Sequence, residues 1–402
     1  MTAHRRPRTL LASVSLMALV ATGLSACEDT SVPGAASGAD QDAAGVPAQE
    51  PARLVLNVRR GERDVSVDTL LDVQARSAVL ETVRVSSPAG GVPGELAEDG
   101  TSWTALERLE PGAAYTVRGV GRDASGEVLR SVARFSTQDL TLAEQTFASV
   151  APLDGETVGV GMPVVVSFDV PVTDRASMER QMRVESVPQQ SGTWHWISDT
   201  EAHWRPRRYW QAGSEVRVDL DVNGVSAGGG VYGQHDREIS FTVGDAHVYR
   251  VDARTHQMRV FSNGRLLRTI PITTGKPGFE TRNGTKVIME KFDVRRMNSE
   301  TVGIPAGSAE SYDIDDVQWA MRLTHSGEFI HAAPWSVGSQ GSANVSHGCT
   351  GMSTADAGWL YAMTRRGDVV ETVGTAGEDM TLTNGWGDWN VPFATYREGS
   401  AL

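Results

Sequence analysis

From residue 52 to residue 245 apolar and polar side chains alternate in short runs, the period of two expected of strands with one face buried and one face wet. "RLVLNVRR", "AAYTVRGVGRD" and "EVLRSVARFST" show it first. "PVVVSFDVPV", "SEVRVDLDV" and "REISFTVGD" repeat it, with Gly, Pro, Asp and Ser turns between the runs. No long stretch of this half keeps a helical period. Short alternating strands in this number predict two successive immunoglobulin-like β-sandwiches, residues 52–138 and 139–245. In the second, "TWHWISDTEAHWRPRRYW" crowds Trp194, Trp196, Trp204 and Trp210 together, which reads either as packed core aromatics or as the walls of a ligand groove.

After residue 246 the texture changes. "HVYRVDARTHQMRVFSNGRLLRTIPITTGK" alternates strictly, and its "SNGR" predicts a hairpin turn. Further strands follow in "GTKVIMEKF" and "GEFIHAAPW". "TADAGWLYAMTRRGD" supplies the one main helix, with Ser353 or Thr354 as its N-cap. Residues 246–374 therefore read as a third, β-rich domain, and the chain as a whole as mainly β. The tail, residues 375–402, is too short to fold alone yet carries Trp386, Trp389 and Phe393. Those side chains are expected to be buried in a cleft beside the third domain.

The N-terminus changes the picture of where the protein works. Arg5, Arg6 and Arg8 precede an apolar run that ends in "LSAC", the pattern of a secretory signal, residues 1–27, with an apolar stretch too short for a confident membrane span. The ending resembles a bacterial lipobox, in which Cys27 would receive a diacylglyceryl group and anchor the protein to the outer face of the cell membrane, toward the wall. Residues 28–51 lack aromatics and are rich in Ala, Gly, Pro and Asp, as expected of a flexible tether. The formal net charge of −13 argues against nucleic acid as a partner.

Only two cysteines occur in 402 residues. With Cys27 lipidated, Cys349 has no partner for a disulfide and is either an inert buried thiol or a reactive one. Its setting favours reactivity. A useful cysteine nucleophile needs a base and donors for an oxyanion. His331 stands at the end of the expected strand "GEFIH", and "SHGC" places Cys349 on a glycine-flanked loop before the helix. The amides of Gly348 and Cys349 are candidates for the oxyanion hole.

"IPITTGKPGFETRNGT", "HAAPWSVGSQGSANVSHGC" and "GDVVE" resemble the L,D-transpeptidase (YkuD-type) catalytic domain, whose signature is a histidine, a spacer and then Ser/Thr-His-Gly-Cys. "VGVGMPVVVSFDVPVTDRA", "WRPRRYW", "GVYG" and "GDWNVPF" resemble the lipoprotein members from high-GC Gram-positive bacteria, in which immunoglobulin-like domains precede the catalytic one. The resemblance implies Cys349 as nucleophile and His331 as base, with Ser346, His347 and Gly348 completing the motif. It also implies that the backbone carbonyl of Ala332 orients the histidine and that Met297, Tyr312 and Trp335 line the substrate channel. Peptidoglycan stem peptides would be donor and acceptor, carbapenem β-lactams covalent inhibitors, and no cofactor or metal would be needed. One departure is Gly351, where the family often has asparagine.

Other readings stay open at this level. His325, His331, His347 and Cys349 are all metal-ligand types. Another thiol hydrolase would share the nucleophile but tends to place cysteine before histidine, and a silent wall-binding lipoprotein would share the sandwiches. Met297 also reads as a core filler, Trp335 as a loop anchor, His325 as a loop histidine, and Asp313, Asp315 and Asp316 as a solvated loop.

Overall fold

The computed structural model describes residues 50–402. The signal, Cys27 and nearly all of the expected tether lie outside the described residues. The first sandwich pairs two four-stranded sheets. Alternation does its work directly in the strand Ala114–Asp123, where Tyr115 and Val117 are buried while Thr116 and Arg118 face outward. Tyr115 stacks on Phe135 with ring centroids 5.3 Å apart, within a core that also holds Leu71, Val73, Trp103 and Leu109.

The second sandwich again opposes two four-stranded sheets, with a small three-stranded sheet beside them. The four tryptophans are core: none is more than 6% exposed, and Trp204 stacks on Trp210 at 5.3 Å. Trp194 and Trp196 bury their indole N–H groups with partners, the Met182 carbonyl at 3.0 Å and the Glu179 carboxylate at 2.8 Å. A short helix, Arg175–Glu179, carries that glutamate and had no signal in the periodicity.

The third domain sets a five-stranded sheet against a four-stranded one. In the first of these, Gln257–Ser262 and Arg265–Pro271 meet at a two-residue turn, with Asn263 at φ 48° and Gly264 at φ 78°, the signs a type I′ hairpin demands. The helix Thr354–Met363 begins on Ser353, whose Oγ accepts the Asp356 amide at 3.1 Å. Ala357 and Leu360 then pack against Ile330, Met352 and Val370.

Two features differ from expectation. Val287, Met289 and Val369 of the third domain belong to the core of the second sandwich, and Arg366 grips Glu156 across the seam through two bonds of 2.9 and 2.6 Å. The tail packs on the catalytic domain, where Asn283 bonds to Thr375, Gly377, Glu378 and Met380 and Ser326 to Asn384, and it also reaches beyond the expected cleft to dock on the second sandwich. Arg205 lies over the rings of Trp389, Phe393 and Tyr396 at 4.8, 5.3 and 4.4 Å and donates to the Val391 carbonyl, while Trp389 donates to the Gly161 carbonyl. Asn390 still ties the tail to Thr285 of the third domain. The reason is electrostatic as well as apolar: the sandwich presents a buried cation and His203, which the tail's rings and Asp388 complement. Trp386 is buried as expected, but Trp389 and Phe393 are half-buried, and the fully buried tail aromatic is Tyr396.

Candidate active site

His331 stands on the wholly buried strand Phe329–Ala332. That strand pairs in parallel with Thr350–Met352, in the register Ile330 to Thr350 and His331 to Gly351. The pairing sets Cys349, one residue before its strand begins, beside Phe329, and so unites the two ends of the spacer. The Phe329 amide reaches the sulfur, and the thiol points toward the Gly327 carbonyl at 3.6 Å. Both residues line one cavity of about 300 Å³, together with Met297, Tyr312, Trp335, Ser346 and His347.

The imidazole is oriented by its own neighbour: Nδ1–H donates to the Ala332 carbonyl at 2.7 Å, which leaves Nε2 as the ring's acceptor. Burial holds the His331 pKa below the ordinary 6.5. Burial also pushes the Cys349 thiol up, to about 12; the Phe329 amide pulls it down, and the neighbouring Glu328 and Lys286 charges act in opposite directions. Desolvation of the two groups therefore favours the neutral thiol beside the neutral imidazole.

The loop before the thiol is fixed residue by residue. Ser346 Oγ donates to the Cys349 carbonyl at 2.6 Å and accepts the Gly348 amide at 3.2 Å. Of the two candidate oxyanion donors, Gly348 is thus already engaged, and Cys349 is the amide without such a partner among the described residues. Gly348 has φ 110°, which side chains rarely adopt. Thr281 had no assignment from sequence; its Oγ1 donates to the Gly348 carbonyl at 2.7 Å. Gly351 is glycine for want of space: a Cβ there would lie 2.9 Å from the Ala333 Cβ and 3.1 Å from the Thr273 methyl.

Residues 299–312 form the loop between the strands Glu290–Asn298 and Asp313–Arg322. Met297 and Tyr312 border it. His347 packs edge-on against Phe279 at 4.7 Å and beside Tyr312 at 5.1 Å, and its Nε2 meets Glu310 at 2.7 Å; Lys276 closes on the same carboxylate. Glu310 carried no sequence signal because its partners lie far from it along the chain. Asp313, Asp315 and Asp316 belong to a strand rather than a loop, and Asp313 holds Arg296 through two bonds of 2.8 and 2.6 Å. Trp335 is 57% exposed with its ring stacked at 5.8 Å from His331, a position at the cavity mouth rather than a buried anchor. Beneath the loop, fully buried Lys286 pairs with Glu328 and donates to the Arg282 carbonyl at 2.7 Å. His325 is exposed, and no cluster of three metal-ligand side chains occurs among the described residues.

Comparison with known proteins agrees with this architecture. A family model described as a bacterial Ig domain matches residues 62–226, and one described as the L,D-transpeptidase catalytic domain matches residues 246–372. The chain is 35% identical over 350 residues to L,D-transpeptidase 2 of Mycobacterium tuberculosis (strain CDC 1551 / Oshkosh), covering 87% of this chain and 85% of that relative. It is 39% identical over 227 residues to L,D-transpeptidase 1 of Mycobacterium tuberculosis (strain ATCC 25618 / H37Rv), covering 56% and 84%. A solved LD transpeptidase in complex with imipenem superposes with a TM-score of 0.51 at 38% identity, covering 56% of this chain and 98% of that one.

Proposed function

The chain belongs to the L,D-transpeptidase family, and from that premise we propose that it joins peptidoglycan stem peptides through a thioester on Cys349. The observation that carries the reading is the shared cavity of Cys349 and His331, with the imidazole locked by Ala332 so that Nε2 is free to take a proton.

The donor is a tetrapeptide stem whose third residue, diaminopimelate, is joined through its carboxyl carbon to the amine of a terminal D-Ala. His331 Nε2 removes the thiol proton as the sulfur attacks that carbon, and the Cys349 amide receives the developing oxyanion. Collapse breaks the carbon–nitrogen bond, and the imidazolium hands its proton to the departing D-Ala amine. The side-chain amine of a second stem then attacks the thioester, gives a proton back through His331, and restores the thiol with a 3→3 crosslink. A D-amino acid or a protein amine as acceptor is a second outlet for the same intermediate. Incubating the purified enzyme with tetrapeptide muropeptides is expected to release D-Ala and yield dimers linked between diaminopimelates, read by mass spectrometry. Intact substrate after prolonged incubation would end the reading.

A neutral resting pair has a pH consequence. The His331 pKa is lowered, so the base is competent above its folded pKa and is lost only as pH falls through it, below 6.5. The rate of acylation should rise through one acid limb below 6.5 and then stay level through mildly alkaline pH, since the thiol is neutral up to about 12. A fall on the alkaline side near neutrality would mean that the pair rests as thiolate and imidazolium.

For location, the proposal is an exported enzyme anchored by lipid on Cys27, with the tether and two sandwiches extending the catalytic domain toward the wall. The support is the basic, apolar and "LSAC" succession. Wild-type protein is expected in the membrane fraction with an acylated first residue, and Cys27→Ser without it. A lipid-free mature N-terminus in the wild type would overturn the anchor and leave the chemistry standing.

A further inference from the structure

Cys349 is a wall shared by two cavities. Met297 and Tyr312 also border both, but the second, of about 390 Å³, is otherwise lined by a different set of side chains, among them Arg295, Arg296, Arg322 and His325. Against these cations it has one carboxylate in its lining, Glu300. The arginines are not equally engaged. Arg296 is held by Asp313 and Asp315, and Arg322 leans on Glu290 with its Nε 2.7 Å from the carboxylate. Arg295 has no carboxylate partner among the described residues; its guanidinium lies over Phe292 at 4.3 Å and Phe329 at 5.6 Å. Arg322 lies over the same Phe329 ring at 4.8 Å.

Two guanidinium groups against one ring repel each other, and the half-buried strand that carries Arg295 keeps bulk water from screening them fully. Glu290 already faces Arg322, so the unmatched charge is that of Arg295, and a planar anion completes it by accepting from that fork and from the Arg322 donors that Glu290 leaves free. Phe329 and Cys349 line the same cavity as both arginines, so an anion held there lies beside the reacting sulfur.

We propose that Arg295 and Arg322, with His325 at the rim, form a carboxylate subsite that selects the donor stem. The inference rests on the acyl-transfer reading and adds its specificity. A tetrapeptide donor carries two carboxylates near the attacked carbonyl: the terminal one on D-Ala, which departs with the leaving group, and the free one on the diaminopimelate side chain. Either supplies the chemistry, and amidation neutralises each separately without changing shape. A stem with the matching carboxylate amidated binds a site in which Arg295 is then left without a carboxylate.

The test measures kcat/KM for D-Ala or D-alaninamide release from three donors: both carboxylates free, the terminal one amidated, and the side-chain one amidated. Wild type and Arg295→Met are compared, and alkylation of Cys349 by iodoacetamide, a neutral reagent, serves as the measure of an intact site. One amidated donor is expected to lose at least about tenfold against the free donor with the wild type, the scale of a charge-assisted hydrogen bond. That donor identifies which carboxylate is bound. Arg295→Met should turn over this donor and the free one alike, with iodoacetamide alkylation unchanged. Equal turnover of all three donors by the wild type overturns the subsite while leaving the transpeptidase reading intact. If the wild type consumes none of them although Cys349 is alkylated, the acyl-transfer reading fails and the subsite falls with it.

Discussion

Cys349→Ala is expected to abolish both turnover of muropeptides and covalent labelling by a carbapenem, with the rate falling by at least about a thousandfold, as when the nucleophile of a covalent mechanism is removed. The fold should survive. The side chain is only partly buried and borders cavities on two sides, and among the described residues its sulfur meets only backbone, the Phe329 amide and, at 3.6 Å, the Gly327 carbonyl, so the loss of stability should stay within about 1 kcal/mol. Intact-mass spectra of wild type and variant after exposure to the drug decide the matter. A stoichiometric adduct on the variant would assign the chemistry to another residue. His331→Ala should lower acylation by roughly a hundredfold or more, the scale of general-base assistance, yet leave a thiol that iodoacetamide still modifies.

Deleting residues 379–402 should be the most destabilising change in the molecule. Tyr396 is fully buried, with its hydroxyl on Asp388 at 2.7 Å and its ring beside His195, and Trp386 belongs to the core of the second sandwich. Each such side chain contributes about 1.5–3 kcal/mol on burial. The deletion also removes Asp388 from His203, which keeps Glu201, and takes three rings off Arg205. Together these approach the whole stability of an ordinary domain, and a drop in Tm of more than about 10 °C is expected. A truncated protein melting within two or three degrees of the full chain, a window of roughly 1 kcal/mol at this size, would show that the dock is not structural. In the full chain Tyr396→Ala tests the same contact more gently.

The dock has its own pH signature. Burial alone would drive the proton off His203, but Asp388 and Glu201 more than offset it and hold its pKa up to about 9. A raised pKa means a contribution fully present below 6.5 and lost as pH climbs through about 9. The Tm advantage of the full chain over the truncated one should therefore shrink between neutral and strongly alkaline pH.

The amino-acid sequence by itself determined what is local or carried by residue type. Alternation with period two wrote the sandwich strands, because one face of each must leave water. Asn263–Gly264 wrote a hairpin, because only such residues take positive φ twice without strain, and Ser353 wrote the start of the helix. The "SHGC" stretch and His331 carried the chemistry in their residue types, and the family resemblance followed from the same letters.

What needed the tertiary structure was everything set by distance through space. Parallel pairing of Phe329–Ala332 with Thr350–Met352 brought the histidine strand beside the thiol loop. Burial then favoured the neutral forms of both groups, since desolvation depends on what surrounds a group and not on its neighbours in sequence. The tail illustrates the same limit. Its aromatics announced that they would be buried, but the added dock on the second sandwich was made by Arg205 and His203, whose charges become worth pairing only once folding has taken them out of water.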